Sequence, residues 1–183
     1  QFPKVNLEIK EAGSIEIIED VKGGKQDIGF IGIPTNSWET HSNISFEQLL
    51  QAEIMACVGK DSPLCFHNPI TPKEIAKYPI VIFNTKYAVN QIVKDLLKHN
   101  SSLDFFFMSA NIESAKKVIA EGIAIGFYTD IALSDDPYVK TGQIVPLHID
   151  DNHMNLSIGW IRSKNHYFSV IAREFIKTVK SQI

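Results

Sequence analysis

The beginning of the chain changes its hydrophobic period at a glycine and a serine. Residues 5–9 alternate between apolar and polar positions, which predicts a β-strand. From Ser14 onward the apolar residues recur at helical spacing, and Gly23 and Gly24 follow them. We therefore predict a strand followed by a short helix, with Ser14 as the cap of that helix and the two glycines at its end.

The rest of the chain repeats this alternation of strand-like and helix-like patterns. Short apolar runs predict buried strands. The stretch from Thr71 to Glu74 has the capping-box pattern, with proline at the first helical position. Such alternation is typical of an α/β fold, here with mainly parallel sheets. The predicted strands are residues 27–33, 53–59, 79–84, 103–109, 123–128, 143–149 and 155–161, and further helices begin near residues 71, 85, 111 and 167.

Composition limits the classes of protein that fit. The 183 residues suffice for one large domain or two small lobes, and such a chain needs no disulfide or metal to fold. The formal net charge is −3, and only two of the eighteen basic residues are arginine. A nucleic-acid surface requires clustered basic residues. We therefore do not expect this stretch by itself to bind DNA.

The cysteines and the apolar runs point to an ordinary intracellular protein. Cys57 and Cys65 lack a CxxC spacing, so we expect a buried thiol and a loop thiol rather than a disulfide framework or a zinc site. No apolar run approaches the roughly 20 residues that span a bilayer, and no signal peptide opens the sequence. These features predict a cytoplasmic location.

Three predicted helices begin directly after a strand, at Ser14, at Asn84–Thr85 and at Ser109–Asn111. In an open parallel sheet, ligands bind in the crevice beyond the carboxyl ends of the strands. Helix starts there present backbone N–H groups and a partial positive charge, which together suit an anion. Each of these residues also fits a helix cap alone. Capping and ligand binding are compatible, because a hydroxyl can cap while N–H groups face the crevice.

Candidates for catalysis or metal binding are few. The sequence contains no GxSxG, HExxH, GxGxxG or GxxxxGK[ST] motif. The stretch HIDDNH, residues 148–153, fits a polar connection between two strands better than a metal site. Asp135 and Asp136 precede a proline and are interpreted as a solvated turn. We predict no catalytic residue, no metal and no cofactor.

The order of these elements resembles the effector-binding domain of LysR-type transcriptional regulators. The resemblance extends over nearly the whole chain, and the order and spacing of the matching phrases make it specific. These phrases are FPKVNLEIKEAGS followed by GKQDIGFIG, then MACVGKDSPL, YPIVIFN, NIESAKKVIAEGIAIGFY and LSIGWIRSKNHYFSVIAREFIKTV.

This resemblance implies a two-lobed fold like that of type 2 periplasmic binding proteins. Two crossing strands join the lobes, and a small molecule binds between them. The first lobe would comprise residues 1–54 and 156–183, the second lobe residues 59–150, and the crossing strands would lie near residues 54–58 and 154–159. The family's winged helix-turn-helix, first strand and most of its first helix are missing from this sequence. We therefore expect an incomplete site.

The resemblance also implies positions for the effector site. An anionic effector would meet hydroxyls and backbone N–H groups there, with Lys86 as one nearby cation, and the alternatives are a hydrophobic site or an empty one. Gly126 and Phe127 are taken as the end of a buried strand. The implied effector-binding residues are Ser14, Gly32, Ile33, Pro34, Met55, Asn84, Thr85, Ser109, Asn111, Gly126 and Phe127.

The implied function is that of a ligand sensor rather than an enzyme. A small molecule would shift the arrangement of the lobes, and the helices at residues 15–22 and 111–121 would pair in a homodimer, with a tetramer as the alternative for the full-length protein. DNA would be bound only through the missing N-terminal domain. A solute receptor of a transport system, with the same fold, is the alternative function.

Overall fold

The computed structural model describes residues 5–35, 42–83, 88–98, 105–109, 111–151 and 154–181. The helices are α1 (Ser14–Lys22), α2 (Pro72–Ile75), α3 (Ala88–Leu97), α4 (Ile112–Ala120), α5 (Asp130–Leu133), α6 (Pro137–Lys140) and α7 (Val170–Lys180). The strands are β1 (Gly29–Pro34), β2 (Ile44–Gly59), β3 (Ile80–Phe83), β4 (Phe105–Ser109), β5 (Gly126–Thr129), β6 (Ile144–Leu147) and β7 (Asn155–Ser163). A 3₁₀-helix spans Pro63–Phe66.

The long strand β2 takes part in two groups of strands. Its first part pairs with β7 as far as Glu53, which lies opposite Asn155, and β7 pairs on its other side with β1. Its last part pairs with β5, beginning with Ile54 opposite Thr129, and with β6. We call β1, β7 and the first part of β2 the first strand group, and β3 to β6 with the last part of β2 the second strand group. The changeover on β2 falls between Glu53 and Ile54.

Three strands of the second strand group run in the same direction. β3 and β4 form a parallel ladder. A parallel bridge joins Ile80 of β3 to Ile125, directly before β5, and the Val81 N–H donates to the Ile125 carbonyl at 2.9 Å. The carboxyl ends of β3, β4 and β5 therefore lie at the same edge.

The prediction of mainly parallel sheets is wrong for the described strands. The ladders β1–β7, β2–β7, β2–β5 and β2–β6 are antiparallel, and β3–β4 is the parallel one. The reason is the path of the chain, because β2 leads from the first strand group to the second and β7 leads back. Two strands that cross in opposite directions and pair with each other must be antiparallel.

The strand predicted for residues 5–9 is not observed. Residues 5–13 have no regular secondary structure, and Leu7 and Ile9 are 65% and 77% exposed. An alternating pattern forms a strand only where a neighbouring strand supplies hydrogen bonds to its backbone. Within the described residues, no strand pairs with residues 5–9. This segment is tied instead to α1, because Lys10 Nζ lies 2.9 Å from Glu16 and 2.6 Å from Asp20.

Most predicted helix boundaries are confirmed. Thr71 and Glu74 form the reciprocal capping box at α2, and the Asn111 side chain caps α4. Gly24 and Gly122, which follow α1 and α4, have φ angles of 72° and 71°. In this left-handed region glycine avoids the steric cost of a Cβ atom.

Apolar side chains pack in three clusters between the sheets and the helices. One cluster lies between α1 and the first strand group and includes Ile18, Val21 and Ile161. The other two involve alternate residues of β2, because neighbouring side chains of a strand point to opposite faces. Phe127 belongs to the cluster that contains Val93 of α3, and Met55 to the cluster that contains Ile119 of α4.

Candidate binding site

Ser14 does not cap α1 as predicted. Gly13 occupies the N-cap position in an extended conformation, with no side-chain cap, and Ser14 is the first helical residue. The Ser14 hydroxyl instead donates to the Gly32 carbonyl of β1 at 2.8 Å. A long-range hydrogen bond thus holds the start of α1 against the carboxyl end of β1.

The end of β1 brings together three predicted site residues and two that sequence reasoning missed. Gly32 and Pro34 are half-buried, whereas Ile33 is buried in the core with α1. Beyond them the Thr35 hydroxyl donates to the Asn155 carbonyl at 3.2 Å. The buried hydroxyl of Ser157 lies 3.4 Å from that of Thr35. No local pattern predicts these contacts of Thr35, because its partners are more than a hundred positions away in sequence.

The parallel strands β3 and β4 place one more predicted position, Ser109, at their shared carboxyl edge. Phe83 lies opposite Ser109, so both strands end at the same level. Asn84 and Thr85, which follow β3, lie outside the described residues, as does Lys86. Asn111 is at the N-cap of α4, and its side-chain oxygen accepts from the Ser114 N–H at 3.0 Å.

Three predicted site residues lie inside the core of the second strand group. Met55 and Phe127 are 7% and 3% exposed. Gly126 packs so closely against α4 that a Cβ atom built on it would lie 2.2 Å from Ile119 Cδ1. The structure therefore brings these residues to the buried faces of β2 and β5.

The end of β5 was also predicted too early. The strand continues to Thr129, whose hydroxyl accepts from the Ala132 N–H at 3.3 Å and caps α5. Because β5 runs parallel to β3, Thr129 is the β5 residue at the shared carboxyl edge. A threonine between an aromatic strand and the helical run Ile131–Leu133 was the sequence signal for this position.

A polar cluster lies at the changeover on β2. The Glu53 N–H donates to Asp130 Oδ1 at 3.0 Å, and Glu53 Oε1 lies 2.9 Å from His148 Nδ1. Glu53 pairs with β7 and its neighbour Ile54 with β5. These polar contacts therefore fix both strand groups to the residue where β2 passes between them.

Asp136 is buried, and its assignment to a solvated turn is wrong. Its carboxylate lies 2.5 Å from Lys116 Nζ and accepts from the N–H groups of Tyr138 and Val139 at the start of α6. Burial opposes the charge, but the hydrogen bond and charge of Lys116 outweigh that cost and lower the pKa of Asp136. Asp135 is the solvated neighbour, with a 91% exposed side chain.

The two cysteines are free thiols with different surroundings. Cys57 is buried on β2, and burial, followed by the nearby charge of Asp136, raises the pKa of its thiol. Such a thiol is inert as a nucleophile. Cys65 is half-buried in the 3₁₀-helix, with Sγ 3.5 Å from the carbonyls of Gly59 and Lys60.

The described ranges contain no group of three histidine, cysteine, aspartate or glutamate side chains that could hold a metal ion. Within the same ranges, none of the helices has the length and apolar character to cross a membrane.

Comparison with protein families gives one match over the whole chain. The family model described as LysR substrate binding domain matches residues 1–183. A relative from Bacillus subtilis (strain 168), described as the uncharacterized HTH-type transcriptional regulator YwbI, is 23% identical over 184 residues. That alignment covers 100% of this chain and 58% of the relative, so the chain spans less than two thirds of that protein.

Solved structures share the fold at low sequence identity. The regulatory domain of Synechocystis PCC6803 CcmR in complex with 2-PG superposes with a TM-score of 0.82 at 15% identity, covering 99% of this chain and 85% of that one. The effector binding domain of QuiR in complex with shikimate has a TM-score of 0.74 at 17% identity, covering 93% and 78%. These similarities show the type 2 periplasmic-binding-protein-like α/β fold.

Proposed function

Because the chain belongs to the LysR substrate-binding-domain family, we propose that it is the effector-sensing part of a LysR-type transcriptional regulator. The family is a regulatory one and not a family of enzymes. The curated relative contains further sequence beyond the matched part, which agrees with a regulator that carries its DNA-binding domain elsewhere in the protein.

The observation that carries this proposal is the convergence of strand ends. The carboxyl ends of β3, β4 and β5 share an edge, and a hydrogen bond from Ser14 joins the end of β1 to the start of α1. In open α/β sheets such edges bind ligands. A small effector would contact the hydroxyls of Ser14, Thr35 and Thr129 together with the predicted residues at the ends of β1, β3 and β4.

We propose that the effector is a small anion. Hydroxyls, backbone N–H groups and helix starts favour a carboxylate or phosphate over a cation. The ligands named for the related structures, shikimate and 2-PG, are small molecules. Because Met55, Gly126 and Phe127 are buried, they would not contact the effector directly. They would instead hold β2 and β5 in position behind the site.

The mechanism is a shift between two arrangements of the lobes. With the bounds predicted above, residues 1–54 and 156–183 move relative to residues 59–150 about the crossing strands. The ligand can bias this equilibrium only by its different affinity for the two arrangements. A coupling of about 1–3 kcal/mol suffices to change promoter binding. We place the protein in the cytoplasm as a homodimer that contacts DNA through its N-terminal domain.

The alternative function, a solute receptor, has weaker support. The relative and the two structures described above are transcriptional regulators or their effector-binding and regulatory domains. None of these descriptions mentions transport.

The test uses the full-length protein. Differential scanning fluorimetry against small carboxylates and phosphates, with shikimate and 2-PG included, should find a ligand that raises the melting temperature. Calorimetry then gives its Kd, and gel shifts measure its effect on promoter binding. A complete protein that carries a signal peptide and binds no DNA would contradict the proposal.

A further inference from the structure

A second candidate site lies under α7, on the first strand group. A groove of about 290 Å³ separates α7 from β2 and β7. Its apolar wall is formed by Trp160, Phe168 and Ile176. Glu47, which also lines it, is paired with Trp160 in the β2–β7 ladder. Glu47 precedes the changeover at Glu53 by six positions, or roughly 20 Å along a strand. This groove is therefore separate from the strand ends proposed to bind the effector.

Both arginines of the chain converge on this groove. Arg162 comes from β7 and Arg173 from α7, and their guanidinium carbons lie 5.1 Å and 5.8 Å from the centre of the Phe168 ring. Lys177 and Lys180 add two more cations to the lining. A chain with a net charge of −3 thus gathers four positive side chains around one small space.

The charges of the two arginines are not balanced by carboxylates of the described residues. Arg173 donates to the Phe168 carbonyl at 3.5 Å, and neither arginine forms an ion pair within those ranges. Glu47 is the one acidic residue among those lining the groove, and its carboxylate forms an ion pair with Lys180. Asp27 lines a neighbouring groove of about 220 Å³ that shares Arg162, but it makes no ion pair with that arginine.

We propose that this groove binds a small organic anion with an apolar body. The carboxylate would lie between Arg162 and Arg173, whose planar guanidinium groups match a carboxylate in two-point hydrogen bonding. The apolar body would cover Trp160, Phe168 and Ile176. The volume of the groove lies at the lower end of the range for ligand pockets, so we expect a ligand with about one ring.

The experiment follows Trp160 in the full-length protein. The chain has two tryptophans, so 5-fluorotryptophan labelling gives two ¹⁹F signals from it, and Trp160→Phe identifies the relevant one. The probe is 3-phenylpropionate, with the uncharged 3-phenylpropanol and with acetate as matched controls. We expect a saturable shift of the Trp160 signal with 3-phenylpropionate, and much weaker responses to the alcohol and to acetate.

Variants distinguish a built site from general attraction. Arg162→Gln and Arg173→Gln should each weaken binding about tenfold or more, as expected for a lost hydrogen bond between charged groups. Lys164→Gln, an exposed cation outside the groove lining, should leave the affinity unchanged. Both arginines are at least partly exposed, so these variants should fold.

Several outcomes would overturn the proposal. They are the absence of a saturable shift, equal binding of the alcohol, and an equal loss of affinity in Lys164→Gln. Ser14→Ala should leave the probe's affinity unchanged, and a loss there would place the probe at the strand ends instead. Because the groove does not include the strand ends, failure here leaves the proposed sensor function standing.

Discussion

The Lys116–Asp136 pair and the Ser14 hydroxyl both attach a helix to another element, but they differ in access to water. The side chains of Lys116 and Asp136 are 13% and 2% exposed, and they join α4 to the start of α6. The Ser14 hydroxyl is half-buried and joins α1 to β1. The first contact is largely shielded from solvent, whereas the second lies at a strand end and is partly open to solvent.

This difference in exposure separates a contact that stabilises the fold from a contact at the strand ends that we propose to bind the effector. A buried ion pair loses much when one partner is removed, because the other charge is left without compensation. A half-buried neutral hydrogen bond contributes about 1 kcal/mol, because water replaces part of it. Substitutions at the two places should therefore change different observables.

The largest effect is expected from Asp136→Asn. The substitution leaves Lys116, a mostly buried cation, with the 65% exposed Glu113 at 3.4 Å in place of its buried partner, so the free energy of unfolding should fall by about 3 kcal/mol. Urea denaturation measures this value. Asp135→Asn is the matched control, because the exposed Asp135–Lys140 pair at 2.7 Å should cost less than about 1 kcal/mol. Similar losses in both variants would show that Asp136 is not buried as described.

The same substitution at two glycines should sharpen the contrast between the core and the strand ends. Gly126→Ala forces the fully buried Ile119 to move and should cost about 1–2 kcal/mol. Gly32→Ala meets its nearest side-chain atoms at 3.7 Å, so its stability should change by less than about 0.5 kcal/mol. Denaturation curves test both, and an equal cost would remove the distinction between these two predicted site residues.

The stability should also fall in acid for a calculable reason. The pKa of Asp136 is lowered by Lys116, and hydrogen bonds from Thr71 and then from His67 hold the pKa of Glu74 at about 2. Both groups have folded-state pKa values below their unfolded values of about 4. Their stabilisation is therefore complete above about pH 5 and is lost as the pH falls through the folded-state values.

Unfolding free energies measured between about pH 5 and pH 2 give the slope of stability against pH. Asp136→Asn should make the dependence shallower, because one titrating carboxylate is removed. An unchanged slope in that variant would mean that Asp136 does not titrate between the folded and unfolded states as proposed.

A modest effect on stability is expected from Ser14→Ala. Loss of the hydrogen bond to Gly32 should lower the free energy of unfolding by about 1 kcal/mol. The effector's Kd should rise by more than this loss of stability explains. The control is Ser181→Ala, whose hydroxyl donates to the Thr178 carbonyl at 2.7 Å on α7. If effector binding is unchanged in Ser14→Ala, the hydroxyl only joins α1 to β1.

Local features were predictable because their partners lie close in sequence. Thr71 and Glu74 are three positions apart, and Asn111 caps a helix through Ser114, so residue type and spacing define both caps. The same holds for Gly24 and Gly122 after their helices. The order of elements also sufficed for the family resemblance, which the family comparison confirms.

The amino-acid sequence by itself determined the caps of α2 and α4, the α/β class and the family. Only the tertiary structure decided that Asp136 is buried rather than Asp135, that Ser14 bonds to Gly32, and that both arginines meet at Phe168. It also decided that β2 and β7 run antiparallel. The physical reason is range: burial and pairing depend on partners many positions away, whose proximity is produced by packing of the whole chain and not by any local pattern.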